Sequence, residues 1–241
     1  MKGEQQMALP TIKSSKNNKL EDQIMLVYGR PKIGKSTLCS NIDKALFIAT
    51  EPGLNHLEVY KQNVTNWEQV CSVVGDIINQ EHDFSTIIID TVDNMVMFCS
   101  QWVCKANNID YPGDMPHGKG WSMVTAELKR VLTALSQQPY GLIMIGHSKV
   151  EEVETKTKKY SRVELNIGGK NSNIIKDLAD IILFMDSEVI DDEEVGMVRT
   201  KPSQYWLAGD RSKLLPESIE YPLSDPTVAY SKIAGCFKGG N

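Results

Sequence analysis

Apolar residues along this chain fall into short unbroken runs, separated by segments in which they recur every three or four positions. Ile24-Met25-Leu26-Val27-Tyr28 is a run of strand length that stops at Gly29, and Ser36-Thr37-Leu38 then opens a helix. Ala45 to Thr50 reads as a second short buried strand, Phe84 to Asp90 as a third, Gly141 to Gly146 as a fourth and Ile181 to Met185 as a fifth. Trp67 to Ile78, Asn94 to Ala106 and Ile174 to Ala179 read as helices between them. Trp121, Val124, Leu128, Val131, Leu132 and Leu135 recur as one helical face that ends before Pro139. Strands alternating with helices in this way predict an α/β fold, with a parallel sheet and helices on its faces.

Several segments break the rhythm. Asn107 to Gly120 is rich in Gly, Pro, Asp and Asn and reads as a loop. Ser148 to Lys170 is polar, mixed in charge and closed by Ile167-Gly168-Gly169-Lys170; it reads as a long loop, of a kind that is usually functional or disordered. Asp191-Asp192-Glu193-Glu194 reads as a solvated turn, because four consecutive carboxylates cannot all face one ion. Val195 to Thr200 and Gln204 to Ala208 then read as a hairpin pair. Residues 1–20 carry four lysines against one glutamate and no apolar period, so a mobile arm is expected there, with residues 21–241 as one domain.

Composition narrows the classes without choosing among them. A chain of 241 residues is long enough to bury one α/β core. Its net charge of −5 argues against a general polyanion binder, so any contact with nucleic acid requires a local basic surface. The five cysteines are scattered and mostly set in apolar stretches, which points to reduced thiols and a cytoplasmic setting. No CxxC pair with a following His or Cys suggests zinc, and no long apolar run or signal-peptide core suggests a membrane.

The chemistry concentrates after the first strand. Gly29-Arg30-Pro31-Lys32-Ile33-Gly34-Lys35-Ser36 fits the Walker A pattern GxxxxGK followed by Ser or Thr, between a strand and a helix, with Thr37 directly behind it. Its glycines let backbone N–H groups converge on phosphates, Lys35 reaches the β and γ phosphates of a triphosphate such as ATP, and Ser36 ligates Mg²⁺. Asp90 ends the apolar strand Ile87-Ile88-Ile89 as a Walker B carboxylate able to hold Mg²⁺ through water; capping the next helix is the plainer role, which Thr91 or Asp93 could fill instead. Glu51 follows the second strand, and if that strand neighbours the first it faces the γ-phosphate and can orient or deprotonate the attacking water. His147 ends the fourth strand on the same edge, placed either to sense the γ-phosphate or simply to bond the backbone there.

This order of motifs resembles the RecA-like recombinase core, and more narrowly the short phage-encoded RecA-like ATPases associated with single-strand annealing. The matching stretches are Tyr28 to Leu38, Phe47 to Leu54, Thr86 to Thr91, His117 to Trp121, Gly141 to His147, Gly168 to Phe184 and Asp210 to Glu217. RecA itself has Gln where this chain has His147, and the chain lacks the extra terminal domains of full RecA. The resemblance implies a RecA-like P-loop NTPase core, with a mostly parallel central sheet, helices on both faces and a C-terminal β-hairpin. It implies ATP hydrolysis with Mg²⁺, assembly into a filament or ring, and work beside a single-strand binding or annealing protein. It also implies that the segment after the fourth strand contacts single-stranded DNA, here through Lys156, Lys158, Lys159 and Arg162, with Tyr160 to stack on a base. Arg199 and Lys201, alternate on one strand, correspond to two lysines that in RecA reach a neighbouring subunit's γ-phosphate.

Two rival functions fit the same P-loop. A small P-loop kinase would need an arginine-bearing lid and an acceptor pocket, and the mixed Lys/Glu segment is a poor lid. A nucleotide-dependent adaptor would bind ATP and scarcely hydrolyse it. No Asn/Thr-Lys-x-Asp guanine motif follows the fourth strand, which favours ATP over GTP without settling the choice.

Overall fold

The computed structural model describes residues 11–13 and 19–238, so most of the arm expected over residues 1–20 lies outside the described residues. In chain order the elements are β1 (Ile24–Gly29), α1 (Lys35–Ser40), β2 (Ala45–Ala49), β3 (Tyr60–Asn63), α2 (Trp67–Asn79), β4 (Thr86–Asp90), α3 (Val92–Ala106) and α4 (Lys119–Ser136). There follow β5 (Gly141–Glu154), β6 (Lys159–Leu165), α5 (Gly169–Leu178), β7 (Ile181–Ile190), β8 (Glu193–Arg199), β9 (Gly209–Asp210), β10 (Ser218–Tyr221) and α6 (Thr227–Lys238). The strands form one sheet in the order β10-β8-β7-β1-β5-β4-β2-β3, with β6 paired to β5 and β9 to β7. From β7 through β3 every pairing is parallel, whereas β8 runs antiparallel to both of its neighbours.

Alternation along each parallel strand divides the core into two layers. Leu26, Tyr28, Ile87, Ile89, Leu142 and Met144 face one side, where α2, α3, α4 and α5 cover them. Met25, Val27, Ile88, Ile143, Ile145, Leu183 and Met185 face the other, beneath α1 and α6. Helix α2 begins where Asn66 Oδ1 accepts the Gln69 N–H at 2.9 Å, satisfying one of the donors that a helix start leaves open.

Three expectations from the sequence are corrected. Ser148 to Lys170 is not a loop: β5 continues past the sheet to Glu154, turns at Thr155 to Lys158 and returns as β6 in an antiparallel arm. Its alternating polar residues disguise the strands, because both faces of the arm carry charge. The late hairpin has other partners than expected. β8 pairs with β7 across Asp191 and Asp192, both in the left-handed region (φ 50° and 64°), as a two-residue hairpin turn requires. Both edges of β8 are thus taken by β7 and β10, and Tyr205 and Trp206 join β6 instead. Finally, β2 does not neighbour β1, since β5 and β4 stand between them. Four of these elements are new to the picture: β3, all four of whose residues are exposed, the short strands β9 and β10, and α6.

Gly120 offers a test of this packing. A Cβ there would stand 2.2 Å from the Pro112 carbonyl oxygen. Helix propensity alone favours Ala by ~1 kcal/mol, but overlap with a fixed backbone atom costs ~1–3 kcal/mol. Gly120→Ala is therefore expected to lower the urea midpoint at unchanged slope; a midpoint at or above that of the wild type would refute the contact.

Candidate functional site

Parallel strand ends place the polar residues on one edge of the sheet. Gly29 ends β1 with His147 of β5 in register beside it, Asp90 ends β4, and Glu51 lies just past β2. Gly29 has to be glycine, because a Cβ would lie 2.3 Å from the Met185 carbonyl oxygen on β7. The loop then turns through Lys32 (φ 65°) and Gly34 (φ 99°), a conformation that glycine adopts freely. Pro31 and Lys32 are exposed, Ile33 is buried, and Thr37 is half-buried on α1.

Lys35 is buried and its Nζ donates to the carbonyls of Gly29 (3.1 Å) and Arg30 (2.9 Å), so the ammonium is held inside the loop. Burial lowers its pKa, and Asp90, Asp93 and Glu51 oppose that shift. Ser36 Oγ donates to Asp90 Oδ2 at 2.7 Å, which brings together the two residues expected to serve a metal ion. Glu51 accepts from Asn94 Nδ2 at 3.2 Å and acts electrostatically on both Lys35 and Asp90 although β2 is remote from β1. Thr50 ties the ends of β2 and β4, its hydroxyl donating to the Thr91 carbonyl (3.0 Å) and accepting the Thr91 N–H (2.7 Å).

His147 meets Asp93. Its backbone N–H donates to Asp93 Oδ2 at 2.9 Å, and its Nδ1 lies 3.7 Å from the same oxygen. Burial raises the Asp93 pKa, and Asp93 Oδ1 has no hydrogen-bond partner among the described residues. From the sequence Asp93 is visible only as a helix cap, and Thr50 and Asn94 are not visible as site residues at all. Their sole signal is position, immediately beyond the ends of β2 and β4.

The other expected site residues lie apart from this cluster. Arg30 points away from the lysine, its Nη2 donating to Ser187 Oγ (3.0 Å) and Glu194 Oε1 (3.2 Å) on the β7–β8 hairpin. On the β5–β6 arm Lys156 and Lys158 are exposed at the turn, Lys159 pairs with Glu152 (2.6 Å), and Arg162 pairs with Glu164 (2.7 Å). Tyr160 is half-buried, edge-on to Tyr205. Arg199 binds Asp186 (3.3 Å) and Glu188 (2.5 Å) and lies over the Trp206 ring, while Lys201 is 3.7 Å from Asp210. Both cations are thus engaged within the chain.

A strand, a glycine loop that encloses a buried lysine, and a Ser–Asp contact at the start of the next helix define a P-loop ATPase of α/β architecture. The chain belongs to the AAA domain family, whose model matches residues 21–212. It is similar to the SPbeta prophage-derived uncharacterized protein YorG of Bacillus subtilis (strain 168), 22% identical over 208 residues that cover 84% of this chain. The chain spans 61% of that relative's length. Among solved structures, the flagellar accessory protein FlaH from Methanocaldococcus jannaschii aligns with 84% of this chain and 85% of its own, at 11% identity and a TM-score of 0.45. No helix among the described residues is long and apolar enough to cross a membrane.

The buried carboxylate yields a pH prediction. Burial raises the Asp90 pKa, and the Ser36 hydrogen bond and Lys35 offset this only in part. A carboxyl whose folded pKa exceeds its unfolded value lowers stability once pH rises through that window, and its penalty fades on acidification. Asp90→Asn is therefore expected to melt above the wild type without nucleotide at about pH 8, with the gain vanishing near about pH 4. A wild type that melts higher at both pH values would contradict the desolvated carboxylate.

Proposed function

We propose that this protein binds ATP with Mg²⁺, hydrolyses it slowly, and couples nucleotide state to single-stranded DNA binding within a homo-oligomer. The observation that carries the coupling is the continuity of β5: one strand holds His147 against Asp93 at the nucleotide edge and runs on into the β5–β6 arm, which carries charge of both signs. A change at the γ-phosphate that shifts His147 or Asp93 would be transmitted along a hydrogen-bonded ladder rather than through a floppy loop.

Ser36 and Asp90 would hold the Mg²⁺, and their direct contact suits a hard cation that prefers oxygen ligands. No group of three or more His, Cys, Asp or Glu able to hold a metal ion occurs among the described residues, so the remaining ligands would be triphosphate oxygens and water. When bound, Mg²⁺ neutralises charge on the β and γ phosphates. Glu51, oriented by Asn94, would align or deprotonate the attacking water, and Lys35 would exchange its loop carbonyls for phosphate oxygens.

For DNA, the exposed Lys156 and Lys158 are the best placed of the arm's cations, since Lys159 and Arg162 must first leave their glutamates. A groove of about 1180 Å³ reaches from Asp93 past Tyr111, Trp121, Lys105 and Lys170, which supplies aromatic faces and cations together. Arg199 and Lys201 would act on a neighbouring subunit only after release from Asp186, Glu188 and Asp210. The prophage-derived relative favours a phage setting in a bacterial cytoplasm; the partner proposed there is a single-strand binding or annealing protein.

ATP hydrolysis measured with and without single-stranded DNA is the direct test. DNA-stimulated turnover is expected, and Glu51→Gln should keep ATP bound while slowing turnover by ~10²-fold. Turnover that stays negligible with every DNA would favour a nucleotide-dependent adaptor. Neutralising Lys156, Lys158, Lys159 and Arg162 together should weaken DNA binding and flatten its salt dependence, the log–log slope falling by about 0.7 for each phosphate that the arm no longer neutralises. An unchanged slope would place the DNA elsewhere on the protein.

A further inference from the structure

We infer that the segment from β10 to α6 is a positioning element of the phosphate loop, acting chiefly through Tyr221. The inference rests on the P-loop reading and goes beyond it. The family match ends at residue 212, so this segment lies outside the part of the chain that the family defines. Even so, it touches the Walker A loop at two adjacent residues. Tyr221 OH donates to the Ile33 carbonyl at 3.0 Å in a buried setting, and Pro226 packs so closely on Gly34 that a Cβ there would come within 2.3 Å of the proline Cγ.

Peptide geometry explains why these contacts matter. The Ile33 carbonyl and the Gly34 N–H share one trans peptide plane and point in opposite directions. Fixing the carbonyl toward Tyr221 therefore fixes the Gly34 N–H away from it, and a Walker A loop binds phosphate through such N–H groups. The Tyr221 ring is itself seated firmly. β10 pairs Tyr221 with Gly196 of β8, and any side chain at Gly196 would overlap the ring, since a Cβ would lie 2.3 Å from it. Burial pushes the phenol pKa up to about 12, which keeps the hydroxyl a donor. Behind it, Ala229, Ile233 and Phe237 of α6 share an apolar cluster with Leu38, Cys39 and Ile42 at and beyond α1, so helix and loop are held as one body.

Tyr221→Phe keeps the ring in its slot and removes only the hydroxyl. MgATP affinity should fall about 3- to 10-fold, the range expected for one buried hydrogen bond. Amides of Ile33 to Lys35 should also exchange faster with solvent. Ile77→Val on α2, a core truncation on the opposite face of the sheet, serves as the stability control and should leave affinity unchanged. Affinity in Tyr221→Phe equal to wild type would overturn the inference, as would an equal weakening in Ile77→Val, which would mark a general stability effect. Wild-type protein that binds no MgATP would instead sink the P-loop reading on which the inference rests.

Discussion

The parallel insertion of β5 between β1 and β4 determines where each polar side chain at the nucleotide edge stands. Because the three strands share one direction, their carboxyl ends meet on one side, and Gly29, His147 and Asp90 arrive there together. Parallel ladders are buried on both faces, and here the strand interiors are almost wholly apolar. Polarity is therefore confined to the strand ends. That confinement lets a single hydroxyl contact, Ser36 to Asp90, join the helix after the loop to a strand two places from β1.

The resulting site is electrostatically lopsided. One buried ammonium, Lys35, faces the carboxylates of Asp90, Asp93 and Glu51, and burial works against charge on Lys35, Asp90 and Asp93 alike. A triphosphate adds further negative charge to a region that already holds an excess of it. Binding the anion together with a divalent cation would remove that conflict, with Asp90 as the carboxylate that would hold the cation. The Lys35 contacts with loop carbonyls serve the same end, stabilising an ammonium that burial alone would neutralise.

Local features are legible in the sequence and non-local ones are not. The P-loop is a contiguous pattern whose glycines answer to backbone geometry, so its residues can be named directly. Asp90 and His147 are equally accessible, because each ends an apolar run. Glu51 is a different case, since its expected role assumes that β2 adjoins β1, and it does not. It comes near Lys35 by another route, through the Thr50–Thr91 tie and Asn94, which no single-strand pattern encodes. Asp93 is inconspicuous because a carboxylate at the start of a helix has a bland explanation. The β5–β6 arm resembles a loop because period-2 alternation identifies a strand only when one face is apolar. Its glutamates are visible, but that Glu152 and Glu164 take Lys159 and Arg162 depends on a register fixed by pairing.

Two antiparallel arms leave the nucleotide edge, β5–β6 from beside Gly29 and β7–β8 from its other flank, and they differ in how they engage the loop. The first is joined to the site through backbone, by way of His147 and Asp93. The second is joined through backbone as well, β7 pairing Met185 with Gly29, and adds a side-chain grip in which Glu194 and Ser187 hold Arg30 at the surface. Exposed ion pairs of that kind contribute little and are weakened by salt, whereas the backbone ladder is insensitive to salt. The Arg30 contact is therefore the part of this arm most open to exchange when a phosphate offers the guanidinium a stronger partner.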